Sequence, residues 1–227
     1  RDRLYRLPEG FLCYQPPQAS SDTVPPPSLE AGHPVFGSFN MLSKVTPEVV
    51  EVWADILKTV PDSCLLMKNN SFRDQWTAEH YLELFERHGA DRQRIEIIPW
   101  VSSLRAHLDL YKRIDIALDT FPYNGTTTTF EALWMGVPVI TLAGDRHAGR
   151  VGASLLNATG SPELIASTPE EYIGLASTLA GNPDLLVSYH AKLRSRLTSS
   201  HLCKANAFTS KLEATYRVMW KNWCRSA

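Results

Sequence analysis

The stretch Asp119–Glu131, DTFPYNGTTTTFE, gathers in one place groups that bind anions. It turns through Pro122 and Asn124-Gly125, then carries four successive threonines, Thr126 to Thr129, into a helix-forming run. Where such a run opens a helix, the first backbone N–H groups have no intrahelical acceptor and lie at the positive end of the helix dipole. With the hydroxyls beside them they make a cradle for a diphosphate. Glu131 stands one turn beyond Thr127 and Thr128, which points its carboxylate back toward the same mouth, where ribose hydroxyls would find an acceptor. The plainer reading is that the threonines cap the helix, yet one hydroxyl makes a cap and four are surplus. Asn124, Gly125, Thr126, Thr127, Thr128 and Glu131 are therefore the candidate ligand-binding residues of this loop.

Two lysines occupy comparable places. Lys44 closes FGSFNMLSK just after a strand-like segment, and Lys68 ends the next one, so each can set a point charge near a phosphate. GDRHAGR, residues 144–150, offers Arg146, His147 and Arg150 ahead of another helical segment, as an anion site or as a solubilising cap. His107 lies within a helical stretch, where a lone histidine is usually structural. The four cysteines, Cys13, Cys64, Cys203 and Cys224, are scattered, with no CxxC spacing and no neighbouring histidine pair, so they read as structural thiols and no metal site is expected. No GxGxxG follows the first strand, GxxxxGK[ST] is absent, and GASLL at 152–156 misses the GxSxG pattern, which sets aside the usual dinucleotide fold, P-loop NTPases and serine hydrolases.

The elements that must hold these residues follow an alternating rhythm. Short apolar segments near 35–39, 63–68, 94–99, 114–118 and 137–142 read as strands. Amphipathic helices are expected between them and at about 151–157, 169–179, 183–197 and 205–223, with a short strand at 163–166. This is the pattern of a doubly wound parallel sheet of Rossmann-like class, whose ligands sit at the carboxyl ends of the strands. Residues 1–34 hold seven of the 15 prolines and read as a lead-in or linker. Residues 35–200 read as the nucleotide-binding body, and 201–227 as a closing helix. With 23 basic and 24 acidic residues, the net charge of -1 gives no bulk footprint for nucleic acid or an anionic membrane. No run approaches the roughly 18 apolar residues of a membrane helix, so a cytoplasmic protein is expected, nuclear as well in a eukaryote.

VFGSFNMLSKVTPEVVEVWADILKTVPDS (35–63), IDIALDTFPYNGTTTTFEALWMGVPVITLAGDRHAGRVGASLL (114–156) and YRVMWKNWC (216–224) are similar to the C-terminal catalytic half of the protein O-GlcNAc transferases, above all to the SPINDLY-like branch and its bacterial relatives. The resemblance runs nearly end to end, with RLPEGFLCY at 6–14 included. It implies a two-lobed glycosyltransferase of the GT-B type, in which this chain is the second, nucleotide-holding lobe. A first lobe bearing the proposed catalytic histidines, and tetratricopeptide repeats, are expected upstream. It also implies that Lys44 and the threonines Thr127 and Thr128 contact the diphosphate, that Glu131 faces the ribose, and that His107 lies near the nucleotide. The reaction implied is inverting sugar transfer to Ser or Thr of a protein, without a metal, since no Asp-x-Asp motif is present.

Two positions depart from the animal members: Thr126 stands where they carry a histidine, and Met41 where they carry a glutamine. The resemblance leaves two donors open, UDP-N-acetylglucosamine and GDP-fucose. Base recognition is expected in the 99–104 loop, which does not separate uracil from guanine. The intact threonine loop disfavours a non-catalytic nucleotide-binding or scaffold module, and the absence of a membrane-facing amphipathic patch disfavours a GT-B enzyme acting on lipid acceptors. The chain taken alone is expected to bind nucleotide, with turnover resting on the upstream lobe. The Trp220, Trp223, Tyr216 and Met219 stripe is expected to pack on the body or toward that lobe, and to be exposed where the lobe is absent.

Overall fold

A computed structural model describes residues 4–7, 9–18 and 22–226. The expected lead-in 1–34 and closing segment 201–227 thus fall in part outside the described residues. Six strands, β1 (Val35–Ser38), β2 (Cys64–Lys68), β3 (Ile95–Ile98), β4 (Ile116–Leu118), β5 (Val139–Leu142) and β6 (Ile165–Ala166), form one parallel sheet in the order β3-β2-β1-β4-β5-β6. The helices are α1 (Ser28–Ala31), α2 (Pro47–Thr59), α3 (Gln75–Arg87), α4 (Leu104–Asp109), α5 (Thr127–Trp134), α6 (Val151–Ala158), α7 (Pro169–Ala180), α8 (Pro183–Ser199) and α9 (Ala205–Ser226).

Successive residues of β2, Leu65, Leu66 and Met67, are all buried although they point to opposite faces, which requires helices on both sides of the sheet. Accordingly α2 packs against α3 and α7, and α5 against α6 and α8. Helix starts follow local chemistry: Thr46 accepts the Val49 N–H ahead of Pro47, and Thr168 accepts the Glu171 N–H ahead of Pro169.

From β1 the chain winds outward through β2 to β3, then returns to the other side of β1 and continues through β4 and β5 to β6. The direction of winding reverses between β1 and β4, where two neighbouring strands send their connections apart and leave a crevice at their carboxyl ends.

The fourth strand starts at Ile116 rather than at Ile114, and Asp115 explains the extra polar residue there. Its fully buried carboxylate accepts the Val35 N–H (2.7 Å), the Ser28 N–H (3.0 Å) and the Ser28 hydroxyl (2.7 Å), clamping α1 and the start of β1 to the sheet. The one-turn helix α1 inside the proline-rich lead-in is not visible in the composition. Farther upstream, the Tyr14 ring stacks on Phe130 at 4.5 Å.

Helix α9 lies at the margin: Lys211 pairs with Glu9, and Asn222 donates to the Tyr5 hydroxyl (3.1 Å). Trp220 and Trp223 stack on each other, yet both are about 60% exposed, and Tyr216 is similarly open. Among the described residues no helix is long and apolar enough to cross a membrane.

Candidate functional site

The crevice between β1 and β4 is where the sequence-predicted residues meet. The chain leaves β4 at Asp119, a carboxylate that is 1% exposed. Its Oδ1 accepts the N–H of Gly125 (2.6 Å) and of Thr120 (2.9 Å), and its Oδ2 accepts the Thr141 hydroxyl of β5 (2.8 Å). One buried acid thereby folds the whole loop back on itself and fixes where α5 begins. Burial raises its pKa to about 7, while these donors and the Lys44 ammonium pull the other way.

Two glycines permit this geometry by close approach. A Cβ on Gly125 would lie 2.5 Å from Thr128 Oγ1 and 2.7 Å from Asn40 Oδ1, and one on Gly152 would lie 2.2 Å from Thr141 Oγ1 and 2.6 Å from Asp119 Oδ2.

Asn124 is a framework residue rather than an open ligand contact. It is fully buried, and its amide is engaged within the loops, donating to Thr120 O (2.8 Å) and accepting the Gly152 N–H (3.2 Å). Its outward contribution is the backbone carbonyl, which accepts the Lys44 ammonium at 2.8 Å. Gly125 is likewise buried, while Thr126 and Thr128 are half-buried and Thr127 is exposed at the rim.

The threonines do not cap their helix. Thr126 occupies the cap position of α5 with no side-chain cap hydrogen bond. Thr128 turns its hydroxyl to Asn40 Oδ1 (2.8 Å), and Thr129 is buried. The start of α5 therefore presents backbone donors and the Thr127 hydroxyl, the composition of an anion seat. Lys44 comes to this seat from the turn after β1. Its ammonium lies 3.9 Å from the centre of the Tyr123 ring, and partial burial lowers its pKa against the opposing pull of Asp119.

On the neighbouring side, Glu131 is buried and accepts from His107 Nε2 (3.0 Å) and from the Tyr111 hydroxyl (3.3 Å). With a carboxylate opposite it, Nε2 carries the proton, and buried Nδ1 has no partner among the described residues. Burial and the Glu131 carboxylate hold the Tyr111 phenol protonated, far above the ordinary tyrosine range. Lys68, at the end of β2, is half-buried: desolvation lowers its pKa and Glu131 raises it, so it belongs to the same electrostatic neighbourhood.

Sequence reasoning thus brought together Lys44, Lys68, His107, the threonine loop and Glu131. It missed Asn40, Tyr111, Asp119 and Thr141. Two of these carried a signal: His107 and Tyr111 are spaced i, i+4 on one helical face, and Asp119 is an acid closing an apolar strand. Asn40 and Thr141 carried none. Among the described residues, no three His, Cys, Asp or Glu side chains converge as a metal site.

A six-stranded parallel sheet in this order with helices on both faces is a Rossmann-like lobe, and it matches the C-terminal lobe of GT-B glycosyltransferases. Solved structures agree on the fold: the Anabaena protein HepE, at 14% identity, superposes with a TM-score of 0.58 over 84% of this chain and 51% of its own. Residues 28–212 match the sequence model of glycosyl transferase family 41, and the chain belongs to that family.

The SPINDLY proteins of Petunia hybrida and Arabidopsis thaliana are 43% and 41% identical to it over 98% and 99% of its length. A UDP-N-acetylglucosamine–peptide N-acetylglucosaminyltransferase of Caenorhabditis elegans is 33% identical over 83% of the chain and 16% of its own length. A solved O-GlcNAc transferase variant of Thermobaculum terrenum is 39% identical with a TM-score of 0.91, covering 99% of this chain and 42% of that one. The chain spans 24% of the length of the plant relatives.

Proposed function

We propose that this chain is the nucleotide-sugar-binding lobe of a protein O-glycosyltransferase that transfers N-acetylglucosamine from UDP-N-acetylglucosamine to Ser or Thr of a protein with inversion. The observation that carries this reading is the uncapped start of α5 with the Lys44 ammonium held beside it by Asn124 O. Glycosyl transfer leaves negative charge on the departing diphosphate. Donors already fixed where that charge develops stabilise the transition state without reorganising. Lys44 would exchange its carbonyl partner for a phosphate oxygen, and the Thr127 and Thr128 N–H groups would complete the seat. Glu131, oriented by His107 and Tyr111, would accept from the ribose. Lys68 supplies a second positive charge to the same mouth, and no metal is needed in this scheme.

GDP-fucose as donor is the second reading. It is favoured by Thr126, which stands after Asn124-Gly125 where the resemblance gives the animal enzymes a histidine. The acceptor-binding first lobe and the tetratricopeptide repeats belong to the upstream part of the full-length protein in this proposal.

Calorimetric titration with UDP and with GDP tests it. One of the two should bind, and Lys44→Ala should weaken that binding by about 1–3 kcal/mol, the scale of a charge-assisted hydrogen bond. Preference for UDP supports the N-acetylglucosaminyl donor and preference for GDP the fucosyl donor. Unchanged affinity in a folded Lys44→Ala protein refutes the seat, and binding of neither nucleotide favours a scaffold role.

A further inference from the structure

The GDRHAGR segment takes no part in the scheme above, yet it walls a second depression. A cleft of about 670 Å³ opens between the lead-in and the first turns of α6, lined by Arg6, Phe11, His147, Arg150, Ser154 and Asn157 among others. That volume is within the range of pockets that hold drug-sized ligands. Its charge is one-sided. Arg6, Arg150 and His147 contribute basic groups, no carboxylate lines it, and none of the three is in an ion pair among the described residues. The lead-in carboxylate Glu9 is already paired with Lys211. In a chain of net charge -1, three basic groups around one hollow are a local concentration. Phe11, whose ring lies 4.8 Å from that of His147, adds an apolar wall.

The cleft also adjoins the anion seat through shared backbone. Ala148 O accepts the Asn124 N–H (2.9 Å), and Asn124 Oδ1 accepts the N–H of Gly152 in α6. The loop that forms the wall of the cleft is therefore bonded directly to the loop that would hold the diphosphate.

We infer that this cleft binds an acidic segment of the polypeptide acceptor, with Arg6 and Arg150 pairing with its carboxylates and Phe11 packing against its apolar carbons. Guanidinium groups suit this ligand because their planar donors engage carboxylates two at a time. Arg150 is already turned to the loop by a bond from Nη1 to Gly144 O (3.1 Å), which leaves its other donors for a ligand. That the peptide is the acceptor rests on the proposed function; that the cleft binds it does not.

The test is fluorescence polarisation of two labelled synthetic peptides on this chain, one with a central serine flanked by glutamates and one with glutamines in their place. The nucleoside diphosphate affinity of each variant is measured alongside. The glutamate peptide should bind at least about tenfold more tightly, and the preference should shrink with added salt. Arg150→Gln combined with Arg6→Gln should abolish the preference and leave nucleotide affinity unchanged, which also shows that the variant is folded.

Equal affinity for the two peptides overturns the inference, as does a preference that survives the double substitution. Loss of nucleotide affinity in the double variant overturns it too, because it would assign the cleft to the nucleotide. An arginine-dependent preference in a chain that binds neither UDP nor GDP would uphold the cleft while refuting the donor site.

Discussion

Asp119→Asn should change the pH dependence of stability by an amount the structure sets. The Asp119 carboxyl is fully enclosed, and burial raises its pKa from 3.8 to about 7 despite three hydrogen-bond donors and the nearby Lys44. Between these two values the native state keeps a proton that the unfolded chain has released. The resulting stabilisation is fully present below pH 3.8 and is lost as pH rises through about 7. A shift of about 3 pH units at about 1.36 kcal/mol per unit makes the total about 4 kcal/mol. Asparagine preserves the acceptor for Gly125 and Thr120 and does not titrate.

Urea denaturation of the two proteins at intervals from pH 4.5 to 8 isolates the effect, since all other carboxylates cancel in the difference. The stability of the native protein relative to Asp119→Asn should fall steadily toward pH 7 and level off above it. A difference that stays constant across the range would refute a buried, proton-retaining Asp119. So would one that rises with pH. Thr141→Val, which removes the donor to Oδ2 at nearly constant volume, should move the levelling point to higher pH.

Gly125→Ala places a methyl 2.5 Å from Thr128 Oγ1 and 2.7 Å from Asn40 Oδ1. It should displace the start of α5, lowering nucleotide affinity in calorimetry by more than about tenfold and costing about 1–3 kcal/mol of stability. Tyr111→Phe deletes the hydroxyl that reaches Glu131 and, at 3.2 Å, the Thr128 carbonyl. It should cost about 1 kcal/mol in urea denaturation, with a severalfold loss of nucleotide affinity; unchanged affinity would mean that His107 alone orients Glu131.

The sheet was legible because its strands are short apolar runs and its helices begin with the chemistry helices need. Thr46-Pro47 and Thr168-Pro169 start α2 and α7 where the sequence places them. The threonine loop stood out in the sequence because four hydroxyl residues exceed what a cap requires, and in the structure Thr126 makes no side-chain cap while Lys44 reaches the loop at Asn124 O. Boundaries were less legible where a polar side chain serves a distant partner. Asp115 interrupts the expected fourth strand because its carboxylate clamps residues 80 and 87 positions away.

What the sequence by itself determined, then, is the alternation of strands and helices and the residue types at each carboxyl end, since both follow from local periodicity and turn chemistry. The tertiary structure alone decided which of those residues are open to a ligand. Asn124 and Thr128 look like ligand groups in one dimension, yet the amide of the first and the hydroxyl of the second are engaged by Thr120, Gly152 and Asn40. Asp119, an unremarked acid at the end of a strand, became the residue that fixes the loop. Its role depends on Thr141, 22 positions away, and a buried polar group takes its function from whichever distant partner the packing supplies.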